Sequence, residues 1–339
     1  MYSPRFLIPF LSLLFLMACR GPVSPIRLLG EAQGTYYSVV YYDSQNRDLS
    51  PQIDSLLDVF DLTASLWVDS SEICRFNRVE DSLEVSPIFA DLFQKSMAIN
   101  QETDGCFDCR IAPLVSAYGF ARSNRRDLTT VQLDSLLRLC HSRVWLDTLA
   151  DGRYIVHKEL SGAMLDFNAI AQGYSVDMLC DMLSSYGITS FLVDVGGEVR
   201  SCGYKHDGTP WKVGIERPAD NKEDGRDVDV AIPLTDESVV TSGSYRKYYE
   251  KDGIRYSHTI NPFTGTPVAH TTLSTSVVDK EAWRADALAT AFMVMGCEEG
   301  RAWLQRHPYV REAYFIYDDN GVLGHYATPQ FEARMNSVR

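Results

Sequence analysis

"ITSFLVDVGGEVRSCG" (residues 188–203) reads as two alternating strand segments on either side of a glycine pair. Gly196-Gly197 follows the first strand as a bulge or a site of close backbone contact. "PWKVGIERP" (210–218) alternates in the same way. "VAIPL" (230–234), "ESVVTSGSY" (237–245) and "RKYYEKDGIRYSHTI" (246–260) extend the pattern into a run of antiparallel strands, with "NKEDGRDVD" (221–229) as a polar loop between. Upstream, "YYSVVYYD" (36–43) is an aromatic and β-branched strand. Helical spacing marks 50–65, 86–105, 131–140 and 175–187. A nearly apolar helix "RADALATAFMVMG" (284–296), a second near 300–307 and a hairpin over 312–327 turning at Asn320-Gly321 close the chain. Helices and strands mix without a regular βαβ repeat, which predicts an α+β fold.

The chain has 339 residues, a formal net charge of −13 and 45% apolar content. The acidic balance argues against a nucleic-acid partner, which would need a basic surface. Arg5 precedes an apolar run from Phe6 to Ala18, the length of a signal-peptide core rather than a membrane span. The run ends in Leu16-Met17-Ala18-Cys19, which resembles a bacterial lipobox. Residues 1–18 are therefore expected to be a signal peptide, 19–28 a lipidated N-terminus and tether, and 29–339 the folded domain. Cys19 would carry acyl chains, such as palmitate, that hold the protein on a membrane. Seven cysteines remain after Cys19, so disulfides cannot use them all. Cys106 and Cys109 form a C-x-x-C whose spacing permits a redox pair or half a zinc site, but a second half is missing. Cys180 and Cys297 read as small core residues.

Several polar residues need a reason. "LDFNAIAQGYSVD" (165–177) places Asp166 before a small-residue turn that feeds a helix, either a phosphate-binding turn or a plain connection. "TSGSY" (241–245) offers hydroxyls and a glycine after a strand. His258 reads as a general base, a phosphate donor or a satisfied core histidine. Asp286 and Thr290 stand one helical turn apart on one face. Buried, a carboxylate there needs a cation, and the two oxygens suit Mg²⁺ or Ca²⁺. The alternative is an acid that complements the positive end of its own helix.

The ordered set "SEICRFN", "TDGCFDCRIAPLV", "LDFNAIAQGYSVD", "TSGSYRKY" with "SHTINPFTG", and "RADALATA" resembles the ApbE-like FAD:protein FMN transferases, from "GEAQGTYYSV" onward. The resemblance implies mixed, largely antiparallel sheets with packed helices and an FAD cleft between two subdomains. It implies Mg²⁺ on the side chains of Asp286 and Thr290 and the carbonyl of Ala169. FAD contacts fall on Gln33, Trp67, Cys106, Phe107, Asp108, Asp166, Gln172 and Ile260, with His258 as general base. FMN would pass from FAD to a Ser or Thr hydroxyl of an acceptor, releasing AMP. The implied acceptors are envelope redox proteins, such as subunits of Na⁺-pumping NADH:quinone oxidoreductase and Rnf-type complexes, and the implied place is the periplasmic side of a bacterial membrane. If water replaces the acceptor, the same site is an FAD pyrophosphatase; a lipid-anchored flavin-binding protein is the non-enzymatic alternative. The chain departs from the family pattern at Asn168, often Gly, at Gln172, often Lys, and at Cys106 and Cys109, usually a small residue and Pro.

Overall fold

The computed structural model describes residues 24–120, 127–218, 228–244, 248–251, 254–257, 259–310 and 312–337. A hairpin comes first, β1 (Ile26–Ala32) and β2 (Thr35–Tyr41). A mostly helical block follows: α1 (Ser50–Ala64), α2 (Glu72–Arg78), β3 (Ser82–Val85), α3 (Pro87–Glu102), α4 (Ala112–Ala117), α5 (Thr130–Cys140), β4 (Val144–Thr148) and β5 (Tyr154–Lys158). Next are α6 (Ala171–Ser185), β6 (Phe191–Val195), β7 (Glu198–Cys202), β8 (Trp211–Glu216), β9 (Val228–Leu234), β10 (Ser238–Gly243), β11 (Tyr248–Lys251), β12 (Ile254–Ser257) and β13 (Thr272–Asp279). The described chain ends with α7 (Ala282–Arg306), β14 (Glu312–Asp319), β15 (Val322–Ala327) and α8 (Pro329–Asn336).

The fold is α+β. Its frame is an eight-stranded sheet in the order β1-β2-β6-β7-β10-β13-β14-β15, with every neighbouring pair antiparallel. Successive side chains in its central strands point to opposite faces, and both faces are covered. Val240, Val277 and Phe315 join the main core under the helices, whereas Val239, Val278 and Ile316 join a second core. On the first face α6 lies across β6 and β7, and α7 across β10 and β13. The second core is closed by the β8–β9 hairpin and α8, through Val213, Ile215, Ile232 and Phe331. The helical block carries a three-stranded sheet, β3-β5-β4.

Local chemistry explains several element ends. Ser86 caps α3 by accepting from the Phe89 N–H at 3.2 Å, with Pro87 in the first turn. Thr129 and Gln132 form a capping box on α5. Gly196-Gly197 is the two-residue turn of the β6–β7 hairpin, both with positive φ (63° and 106°), rather than a bulge within one strand. Asn320-Gly321 turns β14 into β15 with φ of 54° and 86°, as the sequence predicted. Gly296, at φ 75°, divides α7 into the two helices expected over 284–296 and near 300–307. The tether expected to run to residue 28 ends sooner, because Ile26 and Leu28 already pack on the core from β1.

α6 and α7 exchange caps. Neither has a side-chain cap of its own at its N-terminus. Asp177 of α6 accepts from the Ala282 N–H at 3.0 Å and the Trp283 N–H at 2.9 Å, the first turn of α7. Arg200 of β7 pairs with the same carboxylate. In return, Asp286 Oδ2 of α7 accepts from the Gly173 N–H, in the first turn of α6, at 3.0 Å. Each carboxylate satisfies donors that a helix start leaves open and meets the positive end of the other helix. The exchange needs close approach: a Cβ on Gly173 would lie 2.3 Å from the Ala282 carbonyl oxygen and 2.8 Å from Asp286 Cβ. Gly173→Ala is therefore expected to destabilise the protein by about 1–3 kcal/mol through overpacking, read as a lowered urea midpoint.

Candidate active site

A cleft of about 1010 Å³ lies between the helical block and the open end of the large sheet. One wall is built by α1 and the turn after α3, with Asp61, Trp67, Cys106, Phe107 and Asp108. The other is built by the β1–β2 turn, the 166–172 loop, the β6–β7 turn, β10 and α7. Gln33, Trp67, Cys106, Phe107, Asp108, Asp166, Ala169, Gln172, Ile260, Asp286 and Thr290 all line this one cleft. These are the sequence-derived site positions that fall among the described residues. His258 lies outside them, although its neighbours Thr259 and Ile260 line the cleft. Cys19 also lies outside them.

Each position is held by its local fold. Gln33 and Gly34 form the β1–β2 turn with φ of 53° and 72°, so Gln33 projects from a tight hairpin end. Its Nε2 is buried without a hydrogen-bond partner among the described residues. Such a donor is costly unless a ligand accepts from it. Asn77 clamps the Leu165 backbone from both sides, its Oδ1 accepting the N–H at 2.8 Å and its Nδ2 donating to the carbonyl at 2.9 Å. The next residue, Asp166, donates its own N–H to the Cys109 carbonyl at 2.7 Å. Asp166 is buried, accepts from the Asn168 N–H at 2.8 Å, and burial raises its carboxyl above the ordinary range.

Cys109 thus contributes a carbonyl to the site. Both C-x-x-C sulfurs are free. Burial pushes the Cys106 thiol up to about 11 and the Cys109 thiol further, so neither is a ready thiolate. Asp108 is tied to Arg110 by a fork, Nε to Oδ1 at 2.9 Å and Nη2 to Oδ2 at 2.8 Å. Trp67 is 62% exposed at the rim.

Asp286 is 4% exposed, and no Lys, Arg or His pairs with it among the described residues. Burial pushes its carboxyl up to about 7, the Gly173 N–H opposing and Asp177 adding to the rise. Oδ2 is taken by Gly173, and Oδ1 has no hydrogen-bond partner among the described residues. The Gly173 N–H, spent on Asp286, is not available to the Ala169 carbonyl four residues back, which accepts no backbone bond among the described residues. One contact thereby aims a carboxylate oxygen and frees a carbonyl beside it. Thr290 Oγ1 follows one turn along α7, 3.3 Å from Ser242 Oγ of β10. The donors that Asp286, Thr290 and the Ala169 carbonyl offer are all hard oxygens, and among the described residues no group of three His, Cys, Asp or Glu side chains is placed to hold a metal. That set suits Mg²⁺, which takes few protein ligands and keeps waters or substrate oxygens.

The sequence reading did not anticipate the cap role of Asp177 or the clamp at Asn77. Asp177 left one signal: an acid on the buried face of an amphipathic helix, beside Val176, Leu179 and Cys180. Asp61, Asp194, Glu198 and Glu216, which also line the cleft, carried no pattern of their own.

Comparison with known proteins identifies the family. Residues 33–315 match the ApbE family. The FAD:protein FMN transferase of Vibrio cholerae is 35% identical over 304 residues, covering 88% of this chain and 90% of the relative. The enzyme of that name from Escherichia coli K12 is 31% identical and covers 96% of each chain. The solved structure of the Vibrio cholerae flavin transferase ApbE superposes with a TM-score of 0.79 at 30% identity, over 92% of this chain and all (100%) of that one. The Pseudomonas stutzeri flavinyl transferase ApbE, in its apo form, gives 0.80 at 30% identity, covering 92% and 97%. With the match running from the Gln33 turn to β14 and taking in the whole cleft between them, the chain belongs to the ApbE family.

Proposed function

We propose that the protein is an Mg²⁺-dependent FAD:protein FMN transferase, anchored by lipid at Cys19 and working on the periplasmic side of a bacterial membrane. The observation that carries the chemistry is the charge of the cleft. Asp61, Asp166, Asp194, Glu198, Glu216 and Asp286 line it, with Asp108 paired to Arg110, and Lys212 is the one cationic side chain of the lining among the described residues. A pyrophosphate entering that field meets repulsion unless a cation comes with it. Asp286 Oδ1, Thr290 Oγ1 and the Ala169 carbonyl would hold that cation. When bound there, Mg²⁺ neutralises the pyrophosphate and stabilises the departing phosphate.

The protein's own groups supply the rest. Gln33 offers its unpaired Nε2–H to an acceptor on the nucleotide. Asp166, Gln172 and Asp108 border the same volume, and Phe107, Ile260 and the rim Trp67 supply apolar walls for a flavin. In the reaction, an acceptor Ser or Thr oxygen bonds to the FMN-side phosphorus. The bond from that phosphorus to the bridging oxygen breaks, AMP leaves with the bridging oxygen, and the hydroxyl proton passes to a base, for which His258 is our candidate. Membrane redox subunits of the Na⁺-pumping NADH:quinone oxidoreductase and Rnf type are the acceptors we propose.

Asp286→Asn keeps the side chain's shape and removes its charge, so AMP release and flavin transfer are expected to vanish at ordinary Mg²⁺ and return in part at high Mg²⁺. Thr290→Val should lose less, and His258→Ala should slow transfer about 10²–10⁴-fold while sparing FAD affinity. In-gel flavin fluorescence with AMP quantification reads all three. AMP without labelled acceptor would make the protein a pyrophosphatase, and FAD binding without either product would make it a carrier.

Stability provides a measure independent of turnover. With the folded Asp286 carboxyl raised to about 7, the folded state holds a proton that the unfolded chain has lost above about pH 4. The contribution is thus full below pH 4 and falls as pH rises to 7, by about 1 kcal/mol per unit. Metal-free wild type should show that slope in thermal unfolding, and Asp286→Asn should lack it. Mg²⁺ should raise the wild-type melting temperature at pH 8 and leave the variant unmoved. For the anchor, Cys19→Ser is expected to move the protein from the membrane fraction to the soluble one with its fold intact.

A further inference from the structure

We infer that the acceptor polypeptide binds as an added strand on the open edge of β8. This rests on the transferase reading above, which requires a segment of another protein to reach the cleft.

β8 pairs only with β9 among the described strands. Its residues Lys212, Val213, Gly214, Ile215 and Glu216 all line the cleft. Consecutive residues of a strand point to opposite faces, so a single volume touches both rows only along the strand's edge. The register shows what that edge offers. Lys212 lies opposite Pro233. Proline has no N–H, and the Pro233 carbonyl accepts from Arg334 Nη1 at 3.1 Å, outside the hairpin. The Lys212–Pro233 pair is therefore a non-hydrogen-bonded one, and so is Gly214–Ala231 two residues on. The N–H and C=O of Lys212 and of Gly214 consequently point away from β9, and no hydrogen bond from a described residue reaches them. Donors and acceptors repeating every second residue are what an added strand reads.

The β8–β9 hairpin covers the centre of the sheet's second face, while Leu29 on the edge strand β1, on that face, is 76% exposed. Leu192 and Val199 form an apolar floor next to β8. The Gly196 turn packs closely: a Cβ there would come within 2.7 Å of both Gln172 Nε2 and Thr35 Cγ2.

The test uses the full-length protein, FAD, Mg²⁺ and a peptide spanning the modified Thr of a Na⁺-pumping NADH:quinone oxidoreductase subunit. Lys212→Pro and Gly214→Pro each delete one edge N–H. Each proline variant is expected to raise the KM for the peptide about tenfold, the scale of a lost hydrogen bond. The FAD dissociation constant should not change. With wild-type protein, peptides N-methylated at successive amides should lose activity at every second position, which keeps the idea testable if a proline variant misfolds. An unchanged peptide KM in both proline variants, or tolerance of every N-methyl group, would overturn the proposal. Weakened FAD binding in the proline variants would assign the edge to FAD and overturn it as well. Failure of wild type to label the unmodified peptide or the intact subunit overturns the transferase reading itself, and the docking edge falls with it.

Discussion

The contact between Asp286 and the Gly173 N–H is the one on which the site depends. It starts α6, locks α6 against α7 and releases the Ala169 carbonyl from helical duty. Its counterpart, Asp177 on the first turn of α7, fixes the same pair of helices from the other side and is itself held by Arg200. A carboxylate in so dry a place would ordinarily be a liability. Here half of it is used by a backbone donor, and the other half is directed at the cleft. The arrangement gives the residue a structural role through one oxygen and leaves the other for the cation of the function proposed above.

The structure bears on one of the two readings the sequence left open for Asp286. It complements a helix N-terminus, but the helix is α6, not its own. The start of its own helix is served by Asp177. A periodicity argument cannot see this, because it assigns each side chain to the helix that bears it. The pairing emerges only when Gly173 lets two backbones close to a distance that any side chain would block.

Elsewhere the sequence was legible wherever the determinant was local. Strand alternation marked both segments of the β6–β7 hairpin, and Asn320-Gly321 announced its turn. Helix spacing recovered α1, α3 and α5, while α6 begins at Ala171, earlier than its apolar pattern at Ser175, because its first turn is capped from outside. Described residues of every motif but "SEICRFN" line one cleft. What stayed hidden were tertiary assignments. The covering of both sheet faces follows from Val239 and Val240, or Val277 and Val278, dividing between two cores, and a β-branched pair in sequence does not say that each finds a partner layer. The C-x-x-C spacing merely permitted a redox pair, and the fold uses the Cys109 backbone to place Asp166.

Because the helix cap and the cleft-facing oxygen belong to one side chain, fold and catalysis can part by the smallest of genetic steps. A single base change turns an aspartate codon into one for asparagine, whose amide oxygen can still accept from Gly173. A descendant with that change would keep its architecture and its flavin-sized cleft while giving up the charge that, on the function proposed above, draws a cation. Gene duplication followed by such drift opens a route from group-transfer enzyme to flavin carrier that never passes through an unfolded ancestor. Within this architecture, residue 286 is therefore the position to read first when deciding whether a related chain is an enzyme or only a vessel.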